Sequence, residues 1–295
     1  MTRTWLVTGS SRGLGRELCR EILIRGDTLL ATARQPEQLA DLVDQYGDQI
    51  HPYPLDVTDP AAARAAVTAA VQTFGRLDVV ANNAGYANSA PIEMTPDNDF
   101  RAQVETNFYG VVNVTKAALP ILRTQRSGYF LQFSSVGGRV GGTPGLAAYQ
   151  AAKFAVEGFS EVLANEVKPF GIRVTIVEPG AFRTDWGGSS MQMAEVGEDY
   201  RQTVGRLHDF RREMDGKQAG DPTRAARILV DLIDVAAPPL RLLLGSDAVH
   251  LAEQASRARA QEATAWADLS RSTDFDSSID FAKTPAAAML APRTG

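Results

Sequence analysis

The chain has 295 residues, 44% hydrophobic and 22% charged, with a formal net charge of −5. High apolar content, low net charge and ordinary numbers of Gly and Pro exclude a disordered, collagenous or mucin-like protein. The acidic balance, with no basic cluster beyond pairs such as Arg211-Arg212, argues against a nucleic-acid partner, and a single cysteine, Cys19, excludes an intramolecular disulfide. The three histidines, His51, His208 and His250, are scattered, so no metal is expected. The apolar stretch at the N-terminus is too short for a signal peptide. No run approaches the ~18 apolar residues of a membrane helix, so the expectation is a cytoplasmic protein without a membrane partner.

Two kinds of apolar cluster alternate along the chain. Trp5 to Thr8 reads as a short buried strand, and Leu14, Leu18 and Ile22 follow at helical spacing. Residues 28–33 read as strand, 36–46 as helix, and 50–55 as strand with prolines at irregular ends. Asp59 and Pro60 open a helix to Phe74, as N-cap and first helical residue. Strands are expected at 77–81, 129–134, 172–177 and 240–244, and helices at 100–122, 149–167 and 222–233, the last capped by Asp221. Residues 185–220 read as a long loop with short helices. An amphipathic helix near 247–269 and a polar, mobile end complete the chain. Strands alternating with helices imply an α/β fold: a doubly wound parallel sheet of about seven strands, helices on both faces. The expected division is a domain over 1–245 and a C-terminal extension over 246–295.

Thr8-Gly-Ser-Ser-Arg-Gly-Leu-Gly15 follows the first strand and opens the first helix. Its glycines let backbone approach a pyrophosphate, and the helix N-terminus offers unpaired N–H groups. Further along stand Asn82-Asn-Ala-Gly85, Asn107, Ser135, Tyr149-Gln-Ala-Ala-Lys153, Pro179-Gly180 and Thr184. This set resembles the short-chain dehydrogenase/reductase family, in the compact branch marked by T-G-x-x-x-G-x-G and Y-x-x-x-K, over roughly residues 3–245. The resemblance implies a Rossmann-type fold and a nicotinamide cofactor. The cofactor residues it implies are Thr8, Gly9, Ser11, Arg12, Gly13, Leu14, Gly15, Arg34, Asp56, Val57, Asn83, Ala84, Gly85, Tyr149, Lys153, Pro179, Gly180, Phe182 and Thr184.

An acid at the end of the second strand would bind the ribose 2′-OH of NAD and repel a 2′-phosphate. Here the stretch is Ala31-Thr-Ala-Arg34. Arg34, with Arg12 in reach of the same place, favours NADP(H). Tyr149 and Lys153 share one helix face, and an ammonium beside a phenol is expected to lower its pKa. Tyr149 then exchanges a proton with a carbonyl or alcohol oxygen. By the resemblance, Lys153 also binds the nicotinamide ribose, Ser135 (rather than its neighbour Ser134) holds the substrate oxygen, and Asn107 holds a water in a proton relay. Ser135 and Tyr149 are 14 positions apart, one more than is usual in the family, and the glycine-rich stretch between them is expected to absorb the difference.

Leu146, Trp186, Met191 and Met193 either wall a bulky lipophilic substrate or pack a lid onto the core. Trp266 reads as a packing anchor. The expected activity is NADP(H)-dependent interconversion of a ketone or aldehyde with its alcohol, by a homodimer or homotetramer similar to hydroxysteroid and retinol dehydrogenases. An NAD-dependent alcohol dehydrogenase, an epimerising or dehydrating enzyme and a non-catalytic scaffold are the alternatives.

Overall fold

The computed structural model describes residues 2–187, 191–275 and 279–290. Seven strands form one sheet: β1 (Thr4–Thr8), β2 (Thr28–Ala33), β3 (Ile50–Pro54), β4 (Val79–Asn82), β5 (Gly128–Phe133), β6 (Ile172–Pro179) and β7 (Arg241–Leu244). They lie in the order β3-β2-β1-β4-β5-β6-β7, and every pairing is parallel. The five inner strands are buried on both faces, which is why they read as near-continuous apolar runs, whereas the edge strands β3 and β7 are partly exposed.

The α-helices are α1 (Gly13–Ile24), α2 (Ala40–Tyr46), α3 (Pro60–Phe74), α4 (Asp97–Val104), α5 (Gly110–Gln125), α6 (Val136–Val140), α7 (Ala147–Val167), α8 (Glu198–Tyr200), α9 (Arg206–Met214), α10 (Pro222–Leu232) and α11 (Ser246–Ala265), followed by two short ones, α12 (Ala267–Arg271) and α13 (Pro285–Leu290). Side chains alternate across β1. Trp5 and Val7 join Leu18 and Ile22 of α1, Leu42 of α2 and Leu229 of α10 in one core. Leu6 joins Val67 of α3, Val114 and Leu122 of α5 and Leu163 of α7 in the other. The caps are those expected: Asp59 accepts from Ala61 N, and Asp221 from Thr223 N and Arg224 N.

Two elements and one side chain depart from the sequence reading. The strand expected at 77–81 runs instead from Val79 to Asn82, because the Leu77 backbone is taken by the Gln125 side chain, whose Oε1 accepts from its N–H and whose Nε2 donates to its carbonyl. The helix expected over 100–122 is broken by a wider π-type turn at Glu105–Tyr109. Asn107 causes it: its Nδ2 donates at 2.8 Å to the Gln103 carbonyl, the acceptor that its own backbone N–H would take in an α-helix. Trp266 is no packing anchor; at the end of α11 it is 61% exposed.

The sheet order reverses beside β1. The turns after β1 and β4 therefore diverge from one crevice at the carboxyl ends of the strands, where parallel α/β sheets place their ligands.

Candidate active site

A cavity of about 440 Å³ opens at that crevice. One end is walled by Gly9, Ser11, Arg12, Gly13, Leu14, Arg34, Asp56 and Val57, and the middle by Ala84, Gly85 and Asn107. The other end holds Ser135, Tyr149, Lys153 and Trp186, with Pro179, Gly180, Phe182 and Thr184 along the side.

The glycine-rich turn is built by close approach. Gly9 has φ +69°, and a Cβ on Gly15 would lie 2.3 Å from both Asn83 Nδ2 and the Gly9 carbonyl. The gap is closed by hydrogen bonds. Asn83 Nδ2 donates to the Thr8 carbonyl at 2.9 Å and the Gly9 carbonyl at 3.1 Å. The Thr8 hydroxyl accepts from Asn83 N and Ala84 N, each at 3.0 Å. Thr8 and Gly15, expected to touch cofactor, thus lie behind the cavity wall and shape it.

Arg34 is exposed at the end of β2, with no acid at that position. Arg12 lies 3.7 Å from the Asp185 carboxylate. Asp56 Oδ1 accepts from the Thr58 N–H and hydroxyl, which orients the carboxylate at the rim. The Pro179-Gly180 turn is pinned from α11: Asp247 Oδ2 accepts from Ala181 N at 2.7 Å, and a Cβ on Gly180 would strike that carboxylate.

At the other end, Ser135 caps α6, its Oγ accepting from Gly137 N at 3.0 Å, and it lines the cavity together with Tyr149. The positive-φ glycines Gly141, Gly142 and Gly145 carry the chain from α6 into α7. Ser134 also lines the cavity, its hydroxyl donating to the Lys153 carbonyl. Lys153 Nζ donates to the Phe133 carbonyl at 2.8 Å and lies 5.7 Å from the Tyr149 ring centre.

The expected lowering of the tyrosine pKa is not what this arrangement produces. Burial pushes the Tyr149 phenol up to about 12, against the lesser pull of the Ser135 hydroxyl, and burial brings the Lys153 ammonium down to about 8. Desolvation outweighs charge attraction because the ammonium points at a carbonyl rather than at the phenol oxygen.

Asn107 is fully buried, with both N–H donors spent, one on the Gln103 carbonyl and one on the Tyr86 carbonyl, while Oδ1 accepts from Tyr86 N. Its side chain clamps the backbone beneath the cavity. Leu146 and Met191, read as either substrate walls or packing residues, are buried with Ala87 and against Tyr149, with Met193 on their flank, and do not line the cavity. Trp186 does line the cavity, its ring centre 5.2 Å from that of Tyr149. Sequence reasoning missed Leu207, Phe210, Arg211 and Met214, four lining residues from α9. Their i, i+3, i+4, i+7 spacing was the available signal, within a segment read as loop.

Over residues 3–195 the chain matches the short chain dehydrogenase family. The oxidoreductase BOA17 of Botryotinia fuckeliana is 50% identical over 271 residues, 92% of this chain and 98% of that protein. The crystal structure of a short-chain dehydrogenase from Streptomyces avermitilis is 39% identical with a TM-score of 0.87, covering 93% of this chain and all of that one (100%). ElxO with NADP bound is 26% identical with a TM-score of 0.69, over 85% of this chain and 100% of that one. A Burkholderia phymatum protein in complex with NAD shares the fold, at 20% identity and a TM-score of 0.74, over 94% of this chain and 98% of that one.

Proposed function

The chain belongs to the short-chain dehydrogenase family of oxidoreductases, and from that premise we propose that it reduces a ketone or aldehyde to the alcohol with NADPH. One observation carries the reading. A single cavity joins the glycine-rich turn and Arg34 at one end to Ser135, Tyr149 and Lys153 at the other.

The residues present fit a nicotinamide dinucleotide. The close-packed turn of Gly9 and Gly15 exposes the N-terminal backbone of α1, which suits a pyrophosphate. Arg34 offers its planar fork to a 2′-phosphate, and no carboxylate takes the place that would prefer a free 2′-OH. When bound, the dinucleotide supplies the hydride.

The protein supplies the rest. With a pKa raised to about 12, Tyr149 is a neutral phenol at physiological pH and can donate its proton to the carbonyl oxygen. Ser135, lining the same end of the cavity as that phenol, is placed to hold the same oxygen as charge develops on it. Lys153 sets a positive charge beside the phenolate that remains. Asn107 holds the floor of the site.

The substrate side is apolar around Trp186, which supports a lipophilic carbonyl compound. A homodimer or homotetramer in the cytoplasm is part of this reading, resting on the family resemblance. No helix among the described residues is long and apolar enough to cross a membrane.

Replacing Tyr149 with Phe tests the proposal. NADPH binding should stay within about twofold of wild type while kcat for carbonyl reduction falls about 10²–10⁴-fold. Turnover at the wild-type rate would overturn it.

A further inference from the structure

The face of α9 turned to the cavity carries Leu207, Phe210 and Met214, and among them one charge, Arg211. Arg211 is half-buried, and its Nη1 donates to Ser89 Oγ at 3.0 Å. The same hydroxyl meets Nε2 of buried His208 at 2.8 Å. Arginine can only donate, so Ser89 accepts from it, which leaves the Ser89 hydrogen free for the imidazole. Burial, with Arg211 and Arg212 nearby, holds His208 below its ordinary value, which suits a neutral accepting ring. The relay fixes the guanidinium in place.

Among the described residues no carboxylate pairs with Arg211. Burial pulls its basicity below the ordinary arginine value, and no acid opposes that. A desolvated cation held without a counter-charge is costly, and a neutral side chain would bond Ser89 at less cost. Its position assigns it to the substrate. A Cβ on Gly145, four residues before Tyr149, would lie 2.7 Å from Ser89 Oγ. Ser89 also bridges to Met193, which packs on the cluster of Leu146, Tyr149 and Met191. Arg211 therefore stands at the Tyr149 end of the cavity, away from Arg34.

We propose that Arg211 anchors an anionic oxygen group, carboxylate or phosphate, at the far end of the substrate, whose apolar body lies against Leu207, Phe210, Met214 and Trp186. The substrate class is then a carbonyl compound bearing a carboxylate or phosphate rather than a neutral ketone. The identity of the reacting carbonyl rests on the reductase reading above; anion binding does not.

The experiment uses aryl ketones of graded length, each as carboxylate, methyl ester and phosphate-bearing counterpart. Binding to the NADP⁺-loaded protein is measured by calorimetry for wild type, Arg211→Met and Arg211→Lys, and turnover is measured with NADPH. The best-fitting anion should bind about tenfold or more tighter than its ester in wild type, the worth of a charge-assisted hydrogen bond. Arg211→Met should abolish that difference, leaving ester and NADP⁺ affinities within about twofold, and Arg211→Lys should keep part of it. The carboxylate and phosphate arms identify which group is taken. If Arg211→Met fails to fold, Ser89→Ala, which frees the guanidinium from its tether, should weaken anion binding and spare the ester. No anion preference in wild type, or a preference that survives loss of the guanidinium, overturns the anchor. Anion preference without turnover leaves the anchor standing and removes the reductase reading; ester turnover without anion preference does the reverse.

Discussion

The two ends of the cavity are built on different principles. At the glycine-rich end the walls are backbone, locked by Thr8 and Asn83 so that the turns after β1 and β4 behave as one piece. At the Trp186 end the walls are side chains from α9 and the segment before it, packed on Tyr149 through Leu146 and Met191. A backbone cradle tolerates almost no change and recognises a group common to many ligands. A side-chain wall can be rewritten one residue at a time, which suits the part of the site that selects a substrate.

The sharpest way to break this distinction is to substitute on both sides. Gly15→Ala places a methyl group 2.3 Å from Asn83 Nδ2 and the Gly9 carbonyl. It should cost more than ~2 kcal/mol of stability in a urea melt and abolish NADPH binding. Trp186→Ala should instead raise KM for the carbonyl about fivefold and leave NADPH affinity unchanged. Equal damage to cofactor and substrate binding by the tryptophan change would erase the difference between the two ends.

A smaller effect is expected where the ends meet. Reduction requires a protonated Tyr149, which a pKa near 12 secures through the neutral range, and a charged Lys153, whose pKa is lowered to about 8. The ammonium loses its charge as pH rises through about 8, so the reduction rate should fall above that point. Lys153→Met should be slow at every pH and show no break there. A wild-type profile flat to pH 10 would contradict the assignment of charge to Lys153.

The same contrast decided what could be read from the sequence. The five inner strands, β1, β2, β4, β5 and β6, were legible because burial on both faces makes each a near-continuous apolar run. The cradle was legible because only glycine permits the backbone contacts at Gly9 and Gly15. The break at Glu105–Tyr109 was not, since it depends on which carbonyl the Asn107 amide reaches in the folded chain. Nor were the roles of Leu146 and Met191, because an apolar side chain looks the same whether it faces a ligand or a neighbouring helix. Arg211 was passed over as half of an Arg-Arg pair; only the fold separates it from exposed Arg212 and turns it toward the cavity. The tyrosine's raised pKa followed from burial that spacing alone does not convey.

The central claim is that the backbone end receives the phosphate-bearing cofactor and Arg34 selects it. The direct measurement is fluorescence titration of the purified protein with NADPH and, separately, NADH, for wild type and Arg34→Ala. The account predicts tighter NADPH binding, weakened about tenfold or more by the substitution while NADH is unaffected. Tighter NADH binding, or NADPH binding indifferent to Arg34, would contradict it.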